Sequence, residues 1–354
     1  MADAVLKNVR VGETLTDVTV TGGKIASLAR TAADGRDCAG ARLLPGLIDI
    51  HTHGMAGLDT MDGDLDALAR AYLKTGVTAF LPTTMTRPLD EVAAVAENAK
   101  KVRGGAEIIG LHLEGPYLSP DAIGAQNKDY LRLPVYEEIA GIPGVKMVTV
   151  APELAGAETF ISACRAHGIS VALGHTKADY DSASRAFRAG ADNLTHTCNA
   201  MPPFLHRAPG PIGAALTSGG YAQVISDGVH LHPATVLALW RMFGRERMIL
   251  VSDSMRATGL SDGDYDLGGQ KMTVRDGVAR TQDGALAGST TPLYTCVLRA
   301  ISFGIPSEDA FAMASETPAR LLGLNKGKIE VGYDADFCLA DEDYRLIETL
   351  KFSE

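Results

Sequence analysis

Between residues 47 and 253 the sequence alternates short apolar runs with amphipathic stretches, and that alternation narrows the fold more than any other feature. Runs of strand length lie at 47–51, 78–83, 108–114, 145–151, 170–175, 193–197, 222–227 and 248–253. Amphipathic helical stretches separate most of them: 65–74 before Gly76, 89–102 after Pro88, 157–167 before Gly168, 181–189 before Gly190 and 233–243 before Gly244. Glycine just past the last turn is a common helix stop, because a left-handed backbone costs it little. Eight strands with helical crossovers predict an α/β fold, a (β/α)8 TIM-like barrel, whose active residues gather at the carboxyl ends of the strands. The crossover at 118–144 opens as a loop and is expected to carry an active-site loop.

Outside that region the pattern changes. Residues 4–9, 15–21 and 24–29 alternate with period two and read as small strands joined by turns. After the eighth run, 265–280 carries Gly268-Gly269 and Asp276-Gly277 and reads as an inserted hairpin. Helices are expected at 291–302 and 307–322, and 327–340 returns to strand character. These pieces predict a small β-sandwich domain built from both chain ends (1–44 plus 325–354) around a catalytic barrel at 45–324.

Composition narrows the class of partner. A net charge of −10 argues against nucleic acid or an acidic membrane, while leaving room for a phosphorylated small molecule, which needs only one or two local cations. Cys38, Cys164, Cys198, Cys296 and Cys338 are odd in number and widely spaced, which fits free thiols in a reducing compartment. No apolar run reaches bilayer length and the first ten residues lack a signal-peptide pattern, so a cytoplasmic location is expected.

Chemistry enters at the strand ends. Gly110-Leu-His-Leu-Glu-Gly-Pro-Tyr117 places Glu114 where an apolar run stops, and a carboxylate there is costly unless it is charge-paired or metal-bound. Taken alone, an ion pair with a nearby cation explains it equally well. His51 and His53 end the first strand at i and i+2, which points both imidazoles to one side about 6.6 Å apart. A lone HxH more often marks surface histidines. His175, His196 and Asp253 close the fifth, sixth and eighth strands, where each singly could be structural. These six groups, on five strand ends at one end of one barrel, form a nitrogen and oxygen donor set without thiolate, suited to Zn²⁺ or another first-row divalent ion in an open catalytic site.

Those residues carry a resemblance. Pro45-Gly-Leu-Ile-Asp-Ile-His-Thr-His53 with His175, His196 and Asp253 resembles the metal-dependent amidohydrolase superfamily. More narrowly, the segments 112–117, 195–201, 226–230 and 252–255 resemble the N-acetylglucosamine-6-phosphate deacetylase family. The resemblance implies a zinc site from Glu114, His175 and His196, a second metal position from His51 and His53, and Asp253 as general base and acid. It implies hydrolysis of N-acetyl-D-glucosamine 6-phosphate to D-glucosamine 6-phosphate and acetate, in amino-sugar catabolism and cell-wall recycling. It also implies substrate contacts from Asn199, Ala200, Arg207 and His230, and a homodimer in which the partner subunit can supply a phosphate contact.

One position departs from the family pattern: Gln126 stands where many members carry a histidine near the substrate carbonyl. Glutamine can donate to a developing oxyanion but cannot trade protons. Cys198 follows His196 by two residues and would point the same way on an extended chain, although a packing role suits it better. His232 reads as a helix-start residue. Three alternatives remain open: the galacto epimer of the substrate; a cyclic amidohydrolase of the dihydroorotase kind, whose usual strand 4 lysine has no counterpart in 148–152; and a non-catalytic scaffold, which would have lost ligands that are all present here.

Overall fold

The computed structural model describes residues 4–353. Its centre is a ring of eight parallel strands: β1 (Leu47–Thr52), β2 (Val77–Thr84), β3 (Leu111–Glu114), β4 (Val145–Val150), β5 (Ser170–Leu173), β6 (Asn193–Leu194), β7 (Tyr221–Ile225) and β8 (Met248–Val251). Each pairs with the next in sequence from β1 through β8. The ring is closed between β8 and β1 by a backbone bond from Asp253 N–H to the His51 carbonyl at 2.9 Å. Beside it the Ser252 hydroxyl donates to buried Asp49 at 2.5 Å. Ile48, Ile50, Leu81, Met147, Ile225, Ile249 and Val251 fill the interior, and helices cover the outside.

The bottom of the barrel is plugged through a proline. The stretch 307–322, expected as one helix, is two: Ser307–Met313 and Glu316–Leu322. In a continuous helix the Ala314 carbonyl would accept from residue 318, but Pro318 has no N–H to give. The carbonyl accepts instead from Ile48 N–H at 2.8 Å, and the second helix packs Ala319 into the barrel interior. A helix at Gly210–Ser218, absent from the expected set, follows β6; its Gly-Pro start hid it. The crossover at 118–144 contains only 3-10 turns, in keeping with its loop-like sequence.

Both chain ends join one mixed sheet, in the order Leu346–Lys351, Asp336–Ala340, Arg42–Pro45, Ala4–Val11, Thr14–Thr21, Lys24–Leu28, with Arg36–Asp37 also on Ala4–Val11. The sheet curls until Lys24 bridges Asp334, and encloses Leu6, Val9, Val18, Ile25, Leu43, Phe337 and Leu339. The inserted hairpin at 265–280 is a three-stranded sheet (Gly263–Leu267, Gln270–Arg275, Val278–Thr281). It packs Leu267, Met272 and Val274 against Met85 and Met255 at the carboxyl end of the barrel.

Buried Lys326 ties the chain-end sheet to the barrel. Its ammonium lies 2.7 Å from Glu107, 2.8 Å from Asp334 and 3.1 Å from Asp336. Burial opposes its charge, but the three carboxylates outweigh burial and raise its pKa. Lys326→Met would leave Glu107 and Asp336 without their cation and Asp334 with Lys24 alone. The expected loss is about 3 kcal/mol, the low end for breaking a buried ion pair because Glu107 keeps some solvent, measured by denaturant unfolding.

Candidate active site

A cavity of about 470 Å³ opens at the carboxyl ends of the strands, within the range usual for small-molecule sites. His53, Glu114, Gln126, His175, His196, Asn199, Ala200, His230 and Asp253 line it, and fully buried His51 backs it. Arg207 does not. It is exposed in the loop after β6 and lines an adjacent cleft, which Lys177 shares with the main cavity.

Three of these residues lie past the strand ends for a backbone reason. His175, His196 and Asp253 have φ of 45°, 26° and 48°, a left-handed conformation that ends the ladder and that non-glycine residues adopt at some strain. Their strands therefore stop at Leu173, Leu194 and Val251, short of the sequence expectation by two, three and two residues. Surrounding contacts hold the strained backbone. The Asp253 carbonyl accepts from Ser289 N–H at 2.7 Å while its own N–H is held by His51. Gly174, just before His175, passes so near Thr195 that a Cβ there would lie 2.5 Å from the threonine Cβ.

The donor atoms converge on Glu114. Its Oε1 lies 3.0 Å from His196 Nε2, 3.2 Å from His175 Nε2 and 3.4 Å from His51 Nε2, and its Oε2 lies 3.2 Å from His53 Nε2. Asp253 Oδ1 lies 3.3 Å from His53 Nε2 and 3.5 Å from His51 Nε2.

Hydrogen bonds on the far side of the rings set which nitrogen is free. Asp192 accepts from the Asn193 amide, Asn193 Oδ1 accepts from Gln223 Nε2, and Gln223 Oε1 is thereby turned to His51 Nδ1 at 3.0 Å. His51 must carry its proton on Nδ1. The Thr83 and Ala122 carbonyls, which only accept, do the same for His53 (3.1 Å) and His175 (2.9 Å). Each Nε2 then faces the others, and offers a lone pair when the ring is neutral.

Such an arrangement fits a divalent cation. His175 Nε2 and His196 Nε2 are 3.1 Å apart, and buried His51 Nε2 has no hydrogen-bond partner among the described residues. Three overlapping groups have ligand distances suited to one ion each: Glu114 with His175 and His196, His51 with His53 and Glu114, and His51 with His196 and Asp253. The electrostatics agree. Burial opposes ionisation of Glu114, but His51, His175 and His196 outweigh it and hold the carboxyl well below its ordinary range. Burial also works against Asp253, and His51 and His53 bring it down to about 2. Burial disfavours a charged His53, yet Asp253 and Glu114 raise its pKa to about 10. The cluster attracts positive charge.

His230 sits on the opposite wall, its Nδ1 2.7 Å from Asp227, which also accepts from two backbone N–H groups and the Ser289 hydroxyl. His112, inside the long motif, does not line the cavity: it is wedged between Thr83 and Thr149 with its ring 4.7 Å from that of His51, and burial keeps it neutral. Cys198 is not extended (φ 78°) and packs against the core. His232 caps the helix Pro233–Phe243.

Sequence reasoning missed Gln223, Lys177 and the wall formed by Ala285, Leu286 and Gly288. Gln223 had a signal, an amide in the middle of a buried apolar strand. The wall had none, since its residues are small and apolar.

The sequence profile of the amidohydrolase family matches residues 42–353. The N-acetylglucosamine-6-phosphate deacetylase of Bacillus subtilis (strain 168) is 39% identical over 329 residues, covering 87% of this chain and 83% of its own length. The N-acetylgalactosamine-6-phosphate deacetylase of Escherichia coli O157:H7 is 38% identical over 297 residues, covering 80% and 78%. Among solved structures, an aspartate-to-alanine mutant of the N-acetyl-D-glucosamine-6-phosphate deacetylase from Mycobacterium smegmatis, in complex with N-acetyl-D-glucosamine-6-phosphate, superposes with a TM-score of 0.91. That chain is 32% identical, with 100% of this chain and 99% of the other covered.

The His230–Asp227 pair yields a signed pH prediction. Burial pushes the His230 pKa down, and Asp227 outweighs it, so the ring stays charged to higher pH than a free imidazole. Its charge is lost only as pH rises through that elevated value. Asp227→Asn removes the main opposing charge and leaves the burial, with only Asp253 still favouring the charged ring, so the His230 pKa should fall in an NMR titration of the ring protons.

Proposed function

The chain belongs to the amidohydrolase family, among its N-acetylglucosamine-6-phosphate deacetylases, and from that premise we propose that it hydrolyses N-acetyl-D-glucosamine 6-phosphate to D-glucosamine 6-phosphate and acetate. The observation that carries this reading is the convergence of three imidazole Nε2 atoms on Glu114 beside an ionised Asp253, in a cavity of sugar size.

Glu114, His175 and His196 would hold one divalent ion, with His51 and His53 offering a second position. Zinc suits this nitrogen and oxygen donor set. Such an ion, when bound, polarises the acetamide carbonyl and lowers the pKa of a coordinated water to about 7. The chain's own groups do the rest. Asp253, kept ionised by the imidazoles, accepts the proton of the attacking water and returns it to the departing amine nitrogen, so one water is consumed and acetate and a free amine leave. Charged His230, Asn199 and the backbone at Ala200 orient the sugar. Lys177 and Arg207 lead from the cavity into the adjacent cleft, where two cations suit a phosphate dianion.

The assembly is proposed as a homodimer located in the cytoplasm. The chain-end sheet (1–44 plus 325–354) and the barrel (45–324) are proposed as its two structural units. Among the described residues no helix is long and apolar enough to cross a membrane. The galacto epimer is the second reading, supported by the similarity to the Escherichia coli enzyme.

Amine release from both epimeric 6-phosphates and from unphosphorylated N-acetylglucosamine tests the proposal. Fast release from the gluco 6-phosphate, stopped by a chelator and slow without phosphate, is expected. Preference for the galacto epimer would choose the second reading, and silence on all three with metal bound would remove the named substrate. Asp253→Asn should lower kcat about 10²- to 10⁴-fold with metal content intact by elemental analysis. Arg207→Ala should raise KM about 10- to 100-fold for the phosphorylated sugar, the loss of a charge-assisted hydrogen bond of about 1.5–3 kcal/mol, and leave the unphosphorylated one unchanged.

A further inference from the structure

The loop between β3 and β4 enters the metal cluster at two points. Ala122 gives its carbonyl to His175 Nδ1. Four residues later buried Gln126 uses both ends of its amide: Oε1 accepts from Thr86 N–H at 2.7 Å, and Nε2 donates to Glu114 Oε2 at 2.7 Å. Neither end can be reversed, because a backbone N–H only donates and an ionised carboxylate only accepts. The anchor is close-packed as well. A Cβ on Gly115, next to Glu114, would lie 2.1 Å from Thr86 Oγ1.

The two oxygens of Glu114 are therefore divided. Oε1 faces His175 and His196, and Oε2 is held by Gln126 with His53 beside it. The last torsion of a glutamate is broad when nothing restrains it. A donor on one oxygen sets the plane in which the other meets the imidazoles. An amide does this without adding charge, whereas a carboxylate would repel Glu114 and a lysine would compete with the ion for it.

We infer that Gln126 is a positioning residue for Glu114, and that the segment from Ala122 to Gln126 belongs to the scaffold of the metal cluster through its bonds to His175 and Glu114. The inference rests on the metal site proposed above and not on the identity of the sugar. Each end of Gln126 makes one such bond, and the one on Nε2 goes to Glu114, so its part in turnover is exerted through Glu114 unless its second N–H meets the substrate, which the kinetic arm of the test separates.

The test is zinc affinity in the absence of substrate, by competition with a chromophoric chelator, for wild type, Gln126→Met and Gln126→Asn. Methionine keeps the length without the amide, and asparagine keeps the amide but withdraws it by one methylene. Both should bind zinc about 10- to 100-fold more weakly, as for loss of a bond that orients a ligand, with the Tm of the metal-free protein unchanged. Saturating zinc should restore kcat while KM stays at the wild-type value. Zinc affinity equal to wild type in both variants would overturn the inference; a kcat that then stays low at saturating zinc would assign Gln126 to the substrate instead. A wild type that binds no zinc would overturn both the inference and the metal site, whatever the sugar assays return.

Discussion

The hydrogen bond from the Ser252 hydroxyl to the Asp49 carboxylate, shut away from solvent, joins the first barrel strand to the last where the described residues form no paired ladder. Asp49 also accepts from the backbone N–H groups of Ser252 and His51. Burial raises its carboxyl to about 6 against those bonds, so at neutral pH an ionised group is held in the interior at a cost that three donors offset. Because the seam closes there, His51 and His53 on one strand come within 3.3 to 3.5 Å of Asp253 on the other. The whole cluster inherits its geometry from that junction.

From the seam outward, polarity is passed along chains of hydrogen bonds. A carboxylate at Asp192 decides, through two amides, which nitrogen of His51 faces the cavity. Backbone carbonyls of β2 and of the β3–β4 loop make the same decision for His53 and His175. Three of the four imidazoles are thus set before any ligand arrives, a preorganisation that a site on loops alone would lack.

Much of this was legible in the residue pattern. The apolar runs marked all eight strands, and helix stops at Gly168, Gly190 and Gly244 marked three helix ends, because burial and left-handed backbone leave signs that are local in sequence. What stayed hidden depends on distant partners. The left-handed turns at His175, His196 and Asp253 are enforced by neighbours such as Ser289, so the strands read two or three residues too long. The split ahead of Pro318 had a local signal in the proline itself; that Ile48 takes the freed Ala314 carbonyl needed coordinates. Gln126 was identified as a departure from a family pattern, but its bond to Glu114 needed coordinates.

The sheet shared by the two chain ends has a consequence for synthesis. Arg42–Pro45 leads straight into β1, yet its pairing partner on one side is Asp336–Ala340, and Lys24 bonds Asp334, 310 residues downstream. While the chain is emerging from a ribosome, Arg42–Pro45 has only one of its two neighbours, and the ledge from which the barrel starts stays open until Asp336–Ala340 arrives. A protein wired this way must wait for a strand about 290 residues downstream before that ledge is covered, a long-range closure that favours slow completion over stepwise assembly.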